Sequence, residues 1–232
     1  MSEPSEGGPP RRRVRSFVRR AGRITAAQSR ALLDLWPRFG VDHPGGPLDL
    51  DALFGRHAPR VIEIGFGNGE ALLALAAAQP EHDFLGIEVH EPGIGRVMLG
   101  AAELGLRNLR VSRSDAVEVL EQRVAPGSIA EILIFFPDPW PKSRHHKRRL
   151  IQPAFAELAA SRLQAGGMLR LATDWQNYAE QMLEVLNACR ALRNCSADST
   201  WVARPDSRPP TRFELRGRRL GHGVWDLAFQ RV

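Results

Sequence analysis

Apolar and polar positions follow two periods along this chain, and from residue 60 onward short and long periods alternate. Short apolar, β-branched runs predict strands at 60–64, 84–88, 109–113, 130–136 and 168–173. Amphipathic stretches between them predict helices at 70–78, 92–104, 116–124, 150–164 and 176–190. Strands that alternate with helices are typical of βαβ units, so the pattern predicts a doubly wound α/β fold with a mostly parallel sheet.

The two ends of the chain depart from this alternation. Residues 1–10 lack core-forming side chains and precede an arginine-rich stretch, so we expect 1–23 to be a disordered, basic arm. Thr25 is suited to cap a helix that runs to about residue 35 and stops at Pro37. Residues 41–59, with their Pro and Gly, predict a linker that completes this 24–59 region and leads into the main domain, 60–232. The end of the chain shows no strong helical period and predicts a final strand, antiparallel to its neighbours.

Composition sets the broad class. A chain of 232 residues with 43% hydrophobic and 25% charged residues is long enough for one sizeable core. No apolar run approaches the roughly 18 to 20 residues of a membrane-spanning helix, and the start does not resemble a signal peptide, so we expect a cytoplasmic protein without membrane contact. Cys189 and Cys195 are isolated from other ligands, which predicts neither a disulfide framework nor a metal site.

Charge is concentrated in patches. The formal net charge is +6, and residues 1–30 alone hold eight arginines against two glutamates, so the remainder sums to zero. Within that remainder, residues 142–149 carry five cations and two histidines, and residues 204–219 carry six arginines against two carboxylates. Such patches are expected of a protein that neutralises phosphates, although any one of them could be a solvated charged face.

An acidic residue lies at or near the end of strand after strand. In open sheets of this kind ligands bind beyond the carboxyl ends of the strands, where the strand order reverses. Five carboxylates that recur with the same spacing as the strands are hard to explain as solvent-exposed surface residues alone. They are Glu63, Glu88, Asp115, Asp138 and Asp174.

A glycine-rich turn, residues 63–70 (EIGFGNGE), joins the first strand to the first helix of the main domain. A dinucleotide-binding turn would have the spacing G-x-G-x-x-G, with pyrophosphate over the helix. Here the third glycine comes one residue early and Glu70 takes the sixth position, where a carboxylate would repel a pyrophosphate. Glu63 can instead pair with the cationic end of S-adenosylmethionine. Glu88 is placed to accept the ribose hydroxyls, and Asp115 to meet the adenine amine.

The fourth strand runs into the segment 137–149 (PDPWPKSRHHKRR). Three prolines in five residues restrict the backbone, so Asp138 and Trp140 are held in defined positions. A carboxylate and an indole above a cofactor make a slot for a planar base, and the adjacent cations can hold phosphates. His145 and His146 have no metal-ligand spacing, and phosphate or sugar contact suits them better.

These residues carry a resemblance. The segment FPDPWPKxRHHKRR resembles the hallmark of the tRNA (guanine-N7)-methyltransferase family, and other stretches agree with it from about residue 15 onward. Besides the arm motif at 17–23, they are EIGFGNG at 63–69, GIEVH at 86–90, TDW at 173–175, TRFE at 211–214, RG at 216–217 and LGH at 220–222.

The resemblance implies a Rossmann-like S-adenosylmethionine-dependent methyltransferase that modifies N7 of a guanosine in the variable loop of tRNA. By matching motifs it places Glu63, Gly65, Glu88, Asp115 and Asp138 at the cofactor, with Asp138 catalytic. It assigns substrate contacts to Lys142, Asp174, Thr211, Arg212, Phe213 and Glu214. It assigns RNA contacts to Arg144, His145, His146, Lys147, Arg148 and Arg149.

Three alternatives stay open on the residues alone. One is methylation of another target, such as an exocyclic amine, because related folds place an acidic or amide residue with prolines after the fourth strand. Another is an RNA-binding module without catalysis. The third is a nicotinamide dehydrogenase, which the glycine spacing disfavours.

Overall fold

A computed structural model of the chain describes residues 16–17, 23–42, 45–219, 221 and 223–232. Seven strands of this part form one sheet in the order β3-β2-β1-β4-β5-β7-β6. They are β1 (Arg60–Ile64), β2 (Asp83–Ile87), β3 (Leu109–Ser112), β4 (Ile129–Phe135), β5 (Leu163–Thr173), β6 (Leu192–Asn194) and β7 (Trp225–Arg231). The first five strands pair in parallel, and β7 runs antiparallel to β5, so the predicted α/β fold with an antiparallel final strand is confirmed.

Helices flank the sheet. They are α1 (Ala26–Asp34), α2 (Trp36–Phe39), α3 (Leu50–Phe54), α4 (Glu70–Ala78), α5 (Glu91–Glu103), α6 (Ala116–Arg123), α7 (Pro153–Arg162), α8 (Gln176–Ala188) and α9 (Arg212–Arg219), with a short 3₁₀ helix at Ser143–Arg148. No helix of the described residues is both long and apolar enough to cross a membrane.

Successive side chains along a strand lie on opposite faces of the sheet, and each face packs into its own apolar cluster. Ile62 and Ile64 of β1 lie in one cluster with residues of β4, β5 and β7, whereas Val61 lies in the other with Phe84 and residues of α4 and α5. The period of two along β1 places Glu63 on the same face as Val61. A carboxylate is therefore buried in the middle layer of the molecule, at the end of the first strand.

The N-terminal helix begins as predicted. The Thr25 hydroxyl accepts the Gln28 amide at 3.2 Å and the Gln28 side chain accepts the Thr25 amide at 2.9 Å, a reciprocal capping box. Pro37 does not simply stop this helix, since it lies in the first turn of α2, where its missing amide proton is no loss.

Three other elements were not predicted. The 41–59 linker contains α3, capped by the Asp49 side chain on the Ala52 amide at 2.9 Å. The short strand β6 completes the edge of the sheet beside β7. Helix α9 lies in the stretch without helical period, because its exposed Leu215 and several arginines leave no apolar stripe.

Candidate active site

The strand order reverses between β1 and β4, and the main cavity lies at the carboxyl ends of these strands. Its volume is about 420 Å³, within the usual range of small-molecule sites. The wall comes from the residues that follow β1, β2, β3 and β4, together with Leu150 and two residues of the N-terminal segment. The lining residues used below are Gly65, Gly67, Glu88, Asp138, Ser16 and Phe17.

A smaller cavity of about 240 Å³ adjoins the first. Both cavities are lined by Gly65, Gly67 and Phe136, so the glycine turn forms the partition between them. Gly65 and Gly67 have φ values of 71° and 55°, which L side chains rarely adopt. A Cβ at either position would meet no atom within 4 Å, so it is the backbone conformation, and not a steric clash, that favours glycine there.

Glu63 lines the smaller cavity and is 3% exposed. Its Oε2 atom has no hydrogen-bond partner among the described residues. Burial, and then the charge of Glu88, raise the pKa of the Glu63 carboxyl to about 8. A buried acceptor that faces a cavity without a partner is suited to a cationic ligand.

Glu88 is held by the turn that it supports. Its Oε2 accepts the Gly67 amide at 2.9 Å, and its Oε1 accepts the amides of Val89 and His90 at 2.7 and 3.0 Å. The carboxylate thus ties the end of β2 to the glycine turn and lines the main cavity. Three amide donors fix its orientation at the cavity wall.

Asp115 lies beside the cavity in a structural position. Its carboxylate accepts the Val117 amide at 2.9 Å and caps α6, while its neighbours Ser114 and Ala116 line the cavity. Because a carboxylate can accept several hydrogen bonds, capping leaves capacity for a ligand.

Asp138 is exposed at the cavity rim, in a loop whose backbone is strained on both sides. Phe136 and Trp140 have φ values of 53° and 46°, and a non-glycine residue in this region costs about 1 to 3 kcal/mol. The Phe136 amide donates to the Ala172 carbonyl at 2.7 Å, which joins the loop to β5. Such strain is characteristic of functional loops that must present one side chain in a fixed direction.

Trp140 is half-buried and contacts other groups of the protein. Its indole NH donates to the Ser16 carbonyl at 3.1 Å, and the Arg148 guanidinium lies 5.0 Å from its ring centroid. The His145 ring meets it edge-on at 6.0 Å. Trp140 therefore also holds the N-terminal segment over the cavity, and its place in a slot with Asp138 stays a prediction. Ser16 and Phe17, which the sequence assigned to a basic arm, are part of the wall.

The basic run beyond this loop, residues 142–149, contains both exposed and buried side chains. Lys142, Arg144 and Lys147 are exposed, and His145 is half-buried. Desolvation, followed by the surrounding cations Arg144, Arg148, Lys142 and Lys147, lowers the pKa of His145 below its ordinary value.

Arg149, one of the predicted RNA contacts, lies inside the protein. The residue is 2% exposed, and its side chain donates to the Pro139 carbonyl at 2.8 Å and to the Asn177 side-chain carbonyl at 2.8 Å. Proximity to other cations in sequence suggested a surface role, but these partners turn the guanidinium inward. His146 is half-buried, and its backbone carbonyl accepts the Gln152 side-chain amide at 3.0 Å.

Glu214, one of the predicted substrate contacts, is buried as well. It is 1% exposed, and its carboxylate accepts two hydrogen bonds from Arg208 at 2.6 and 3.1 Å. Arg208, itself 3% exposed, also pairs with Asp226 at 2.7 Å, and Arg204 lies 3.4 Å from Glu214. Part of the patch at 204–219 is therefore an internal network of ion pairs. The feature of the sequence that could have indicated it is Asp226, an aspartate within the apolar run of β7.

Other predicted substrate residues are spread around the cavities. Thr211 lines the smaller cavity and caps α9 by accepting the Glu214 amide at 3.1 Å. Asp174 is half-buried between β5 and α8, at the same sheet edge as Asp138. The side chains of Arg212 and Phe213 lie outside the described part of the structure. Within that part, no group of three or more His, Cys, Asp and Glu side chains could hold a metal ion.

Solved structures share this architecture. The chain superposes on the 16S rRNA methyltransferase KamB with a TM-score of 0.59 and 14% identity, over 84% of this chain and 98% of KamB. It superposes on a variant of the 16S rRNA (adenine(1408)-N(1))-methyltransferase from Catenulisporales acidiphilia, solved with its cosubstrate SAM, with a TM-score of 0.55 and 18% identity, over 80% and 92% of the two chains. At such low identity these matches establish the fold.

Sequence relatives are much closer. A family model described as "Putative methyltransferase" matches residues 57–227. The tRNA (guanine-N(7)-)-methyltransferase of Ectopseudomonas mendocina is 57% identical over 99% of this chain and 96% of its own length. The protein of the same name from Methylococcus capsulatus is 56% identical over the whole of both chains. This protein therefore belongs to the tRNA (guanine-N(7)-)-methyltransferase family.

Proposed function

We propose that this protein transfers a methyl group from S-adenosylmethionine to N7 of a guanosine in the variable loop of tRNA, in the cytoplasm. The observation that carries the proposal is the placement of two carboxylates on two adjoining cavities that share the glycine turn. Glu63, whose buried Oε2 has no hydrogen-bond partner among the described residues, lines the smaller cavity, and Asp138 is exposed at the rim of the main cavity. The first suits a cationic cofactor and the second suits a base that becomes cationic. The names of the relatives support the choice of tRNA and of N7.

The residues present fit S-adenosylmethionine. Glu63 would pair with its ammonium group, Gly65 and Gly67 would let the backbone approach it closely, and Glu88 would accept its ribose hydroxyls. Asp115, which caps α6 beside Ser114 and Ala116, would receive the adenine amine. When bound, the cofactor supplies an electrophilic methyl group carried by a sulfonium.

Guanine N7 has an in-plane lone pair and no proton to lose, so the protein needs no strong general base. Alignment of two bound reactants supplies roughly 7 to 11 kcal/mol, and one preorganised electrostatic contact supplies about 3 to 4 kcal/mol. We assign to Asp138 the orientation of the base and the compensation of its developing positive charge. Asp174, at the end of the neighbouring strand, would hold the N–H edge of guanine. Lys142 follows Asp138 by four residues, and Thr211 lines the smaller cavity together with Phe136, so both would contact the same nucleotide.

The test is product analysis. The protein is incubated with labelled S-adenosylmethionine and tRNA that lacks the modification, and the digested RNA is analysed by mass spectrometry. Labelled 7-methylguanosine, absent when the variable-loop guanosine is replaced by adenosine, is the expected result. A different methylated nucleoside would move the target, for instance to an exocyclic amine. Failure to bind S-adenosylmethionine, with tRNA binding intact, would favour an RNA-binding module.

Binding of tRNA should depend on salt through the exposed cations of the basic run. Replacing Arg144 and Lys147 by glutamine is expected to reduce the slope of log K against log salt by about 0.7 to 0.9 for each phosphate that the variant no longer neutralises. Titrations at several salt concentrations measure it. The matched control neutralises Arg107 and Arg190, which are exposed at the opposite, amino-terminal edge of the sheet. Equal slopes in both double variants would remove the basic run from the RNA interface.

A further inference from the structure

Arg149 connects the loop that carries Asp138 to helix α8. Its Nε donates to the Pro139 carbonyl, the residue after Asp138, at 2.8 Å. Its terminal nitrogens donate to the side-chain carbonyls of Asn177 at 2.8 Å and Gln181 at 2.5 Å, both on the first two turns of α8. The guanidinium also lies 4.7 Å from the centroid of the buried Tyr178 ring. One side chain is thus bonded to both elements.

Each of these two elements adjoins one of the two carboxylates proposed to hold the base. Pro139 follows Asp138 directly, and α8 begins two residues after Asp174. The near end of the loop is joined to β5 by the backbone bond from the Phe136 amide to the Ala172 carbonyl. Arg149 therefore fixes the distal half of the loop against α8, and with it the spacing of Asp138 and Asp174.

The partners of Arg149 distinguish positioning from charge compensation. The described groups that accept its hydrogen bonds are neutral carbonyls, and no carboxylate of the described residues forms an ion pair with it. Burial of a guanidinium without a carboxylate is costly, and its rigid fork supplies several donors in fixed directions that an ammonium cannot reproduce. Geometry, rather than net charge, is what this side chain contributes.

We propose that Arg149 is a positioning residue for methyl transfer, which sets the separation of Asp138 and Asp174 without contacting RNA. This inference rests on the proposed function. It implies that the loss of its bonds lowers the rate of the bound complex and leaves RNA affinity unchanged. A misplacement of about 1 Å at a reacting centre is enough to slow a reaction substantially.

Three variants test the inference on the full-length protein: Arg149→Lys, Asn177→Ala and, as a control, Gln176→Ala. Asn177 is exposed and its truncation removes one acceptor of the guanidinium, whereas Gln176 on the same turn bonds only to Glu180 among the described contacts. We expect kcat to fall about tenfold in Arg149→Lys and less in Asn177→Ala, with wild-type kcat in Gln176→Ala. KM for tRNA, its salt slope and cofactor affinity should not change. The double variant Arg149→Lys/Asn177→Ala should be no slower than Arg149→Lys alone, because both changes break the same connection between the loop and α8.

Two results would overturn the inference. A weaker tRNA affinity with a reduced salt slope and unchanged kcat in Arg149→Lys would mean that Arg149 contacts RNA. Wild-type kcat in Asn177→Ala, together with loss of folded protein in Arg149→Lys, would leave only a structural role. Product analysis of the wild-type protein distinguishes failure of the proposed function from failure of this inference. A different methylated nucleoside would refute the proposed function, and the kcat for forming that nucleoside would still test Arg149.

Discussion

Replacing Asp138 by asparagine is expected to lower kcat about 100-fold or more while changing the affinity for S-adenosylmethionine little. The substitution keeps the shape and removes the charge, and loss of one preorganised electrostatic contact costs about 3 to 4 kcal/mol in the transition state. The expected loss is large because the base becomes cationic as the methyl arrives. Single-turnover rates measure the chemical step, and calorimetry measures cofactor binding.

The same substitution at Asp34, an exposed residue at the end of α1, is the matched control. Folding should be retained in both variants, because the Asp138 side chain is exposed and the described backbone bonds of its loop involve other residues. Full turnover in Asp138→Asn with normal cofactor affinity would remove Asp138 from catalysis. A tenfold or greater loss of cofactor affinity with a normal single-turnover rate would instead assign it to cofactor binding.

The sequence predicted the regular part of the fold well because local period determines it. The bounds of β1 and α4 are those predicted, and Thr25 caps α1 as expected. The apolar residues of β1 and the side chains of Leu72 and Leu75 in α4 lie in the core clusters, so the hydrophobic pattern and the structure agree there. Helix α9 escaped prediction because packing and the Thr211 cap define it instead of an apolar stripe.

The charged residues show where sequence reasoning stops. Arg149 and Arg208 lie within basic runs, which favours a solvated position, yet both are buried. The partners that bury Arg149 are 28 to 32 residues away in sequence, on a helix whose docking the sequence does not reveal. The opposite case is Glu63, which the sequence placed at the end of the first strand beside the glycine turn, where the structure also has it, in the wall of the smaller cavity.

The cations in and around the site are therefore of two kinds, exposed and buried. The exposed Lys142, Arg144 and Lys147 can meet phosphates, and their contribution should weaken as salt rises. Arg149 and Arg208 act inside the protein, where salt screens little. A single basic motif thus combines residues that would attract the substrate with one that would hold the reactive loop, and mutation of the whole run would confuse binding with catalysis.

Replacing Glu63 by glutamine is expected to weaken S-adenosylmethionine binding about 100-fold at pH 8, and by less at pH 6. Burial and Glu88 raise the pKa of Glu63 to about 8, so the free protein holds a proton there at neutral pH. Pairing with an ammonium group requires that this proton leave. Wild-type affinity should rise up to about tenfold per pH unit below 8, then level off, because the ligand's own amine loses its proton near pH 8.

Calorimetry in two buffers of different ionisation enthalpy measures the proton released on binding, which should approach one at pH 7 in the wild type and vanish in Glu63→Gln. S-adenosylhomocysteine, which keeps the amine and lacks the sulfonium, should show the same pH dependence. The unfolded carboxyl has a pKa of about 4.5, so the folded protein binds the extra proton between pH 4.5 and 8. Stability of the free protein should therefore fall as pH rises through this window, and Glu63→Gln should abolish that part of the slope. A constant affinity ratio between the two proteins from pH 6 to 8 would contradict the assignment of Glu63 to the ammonium group.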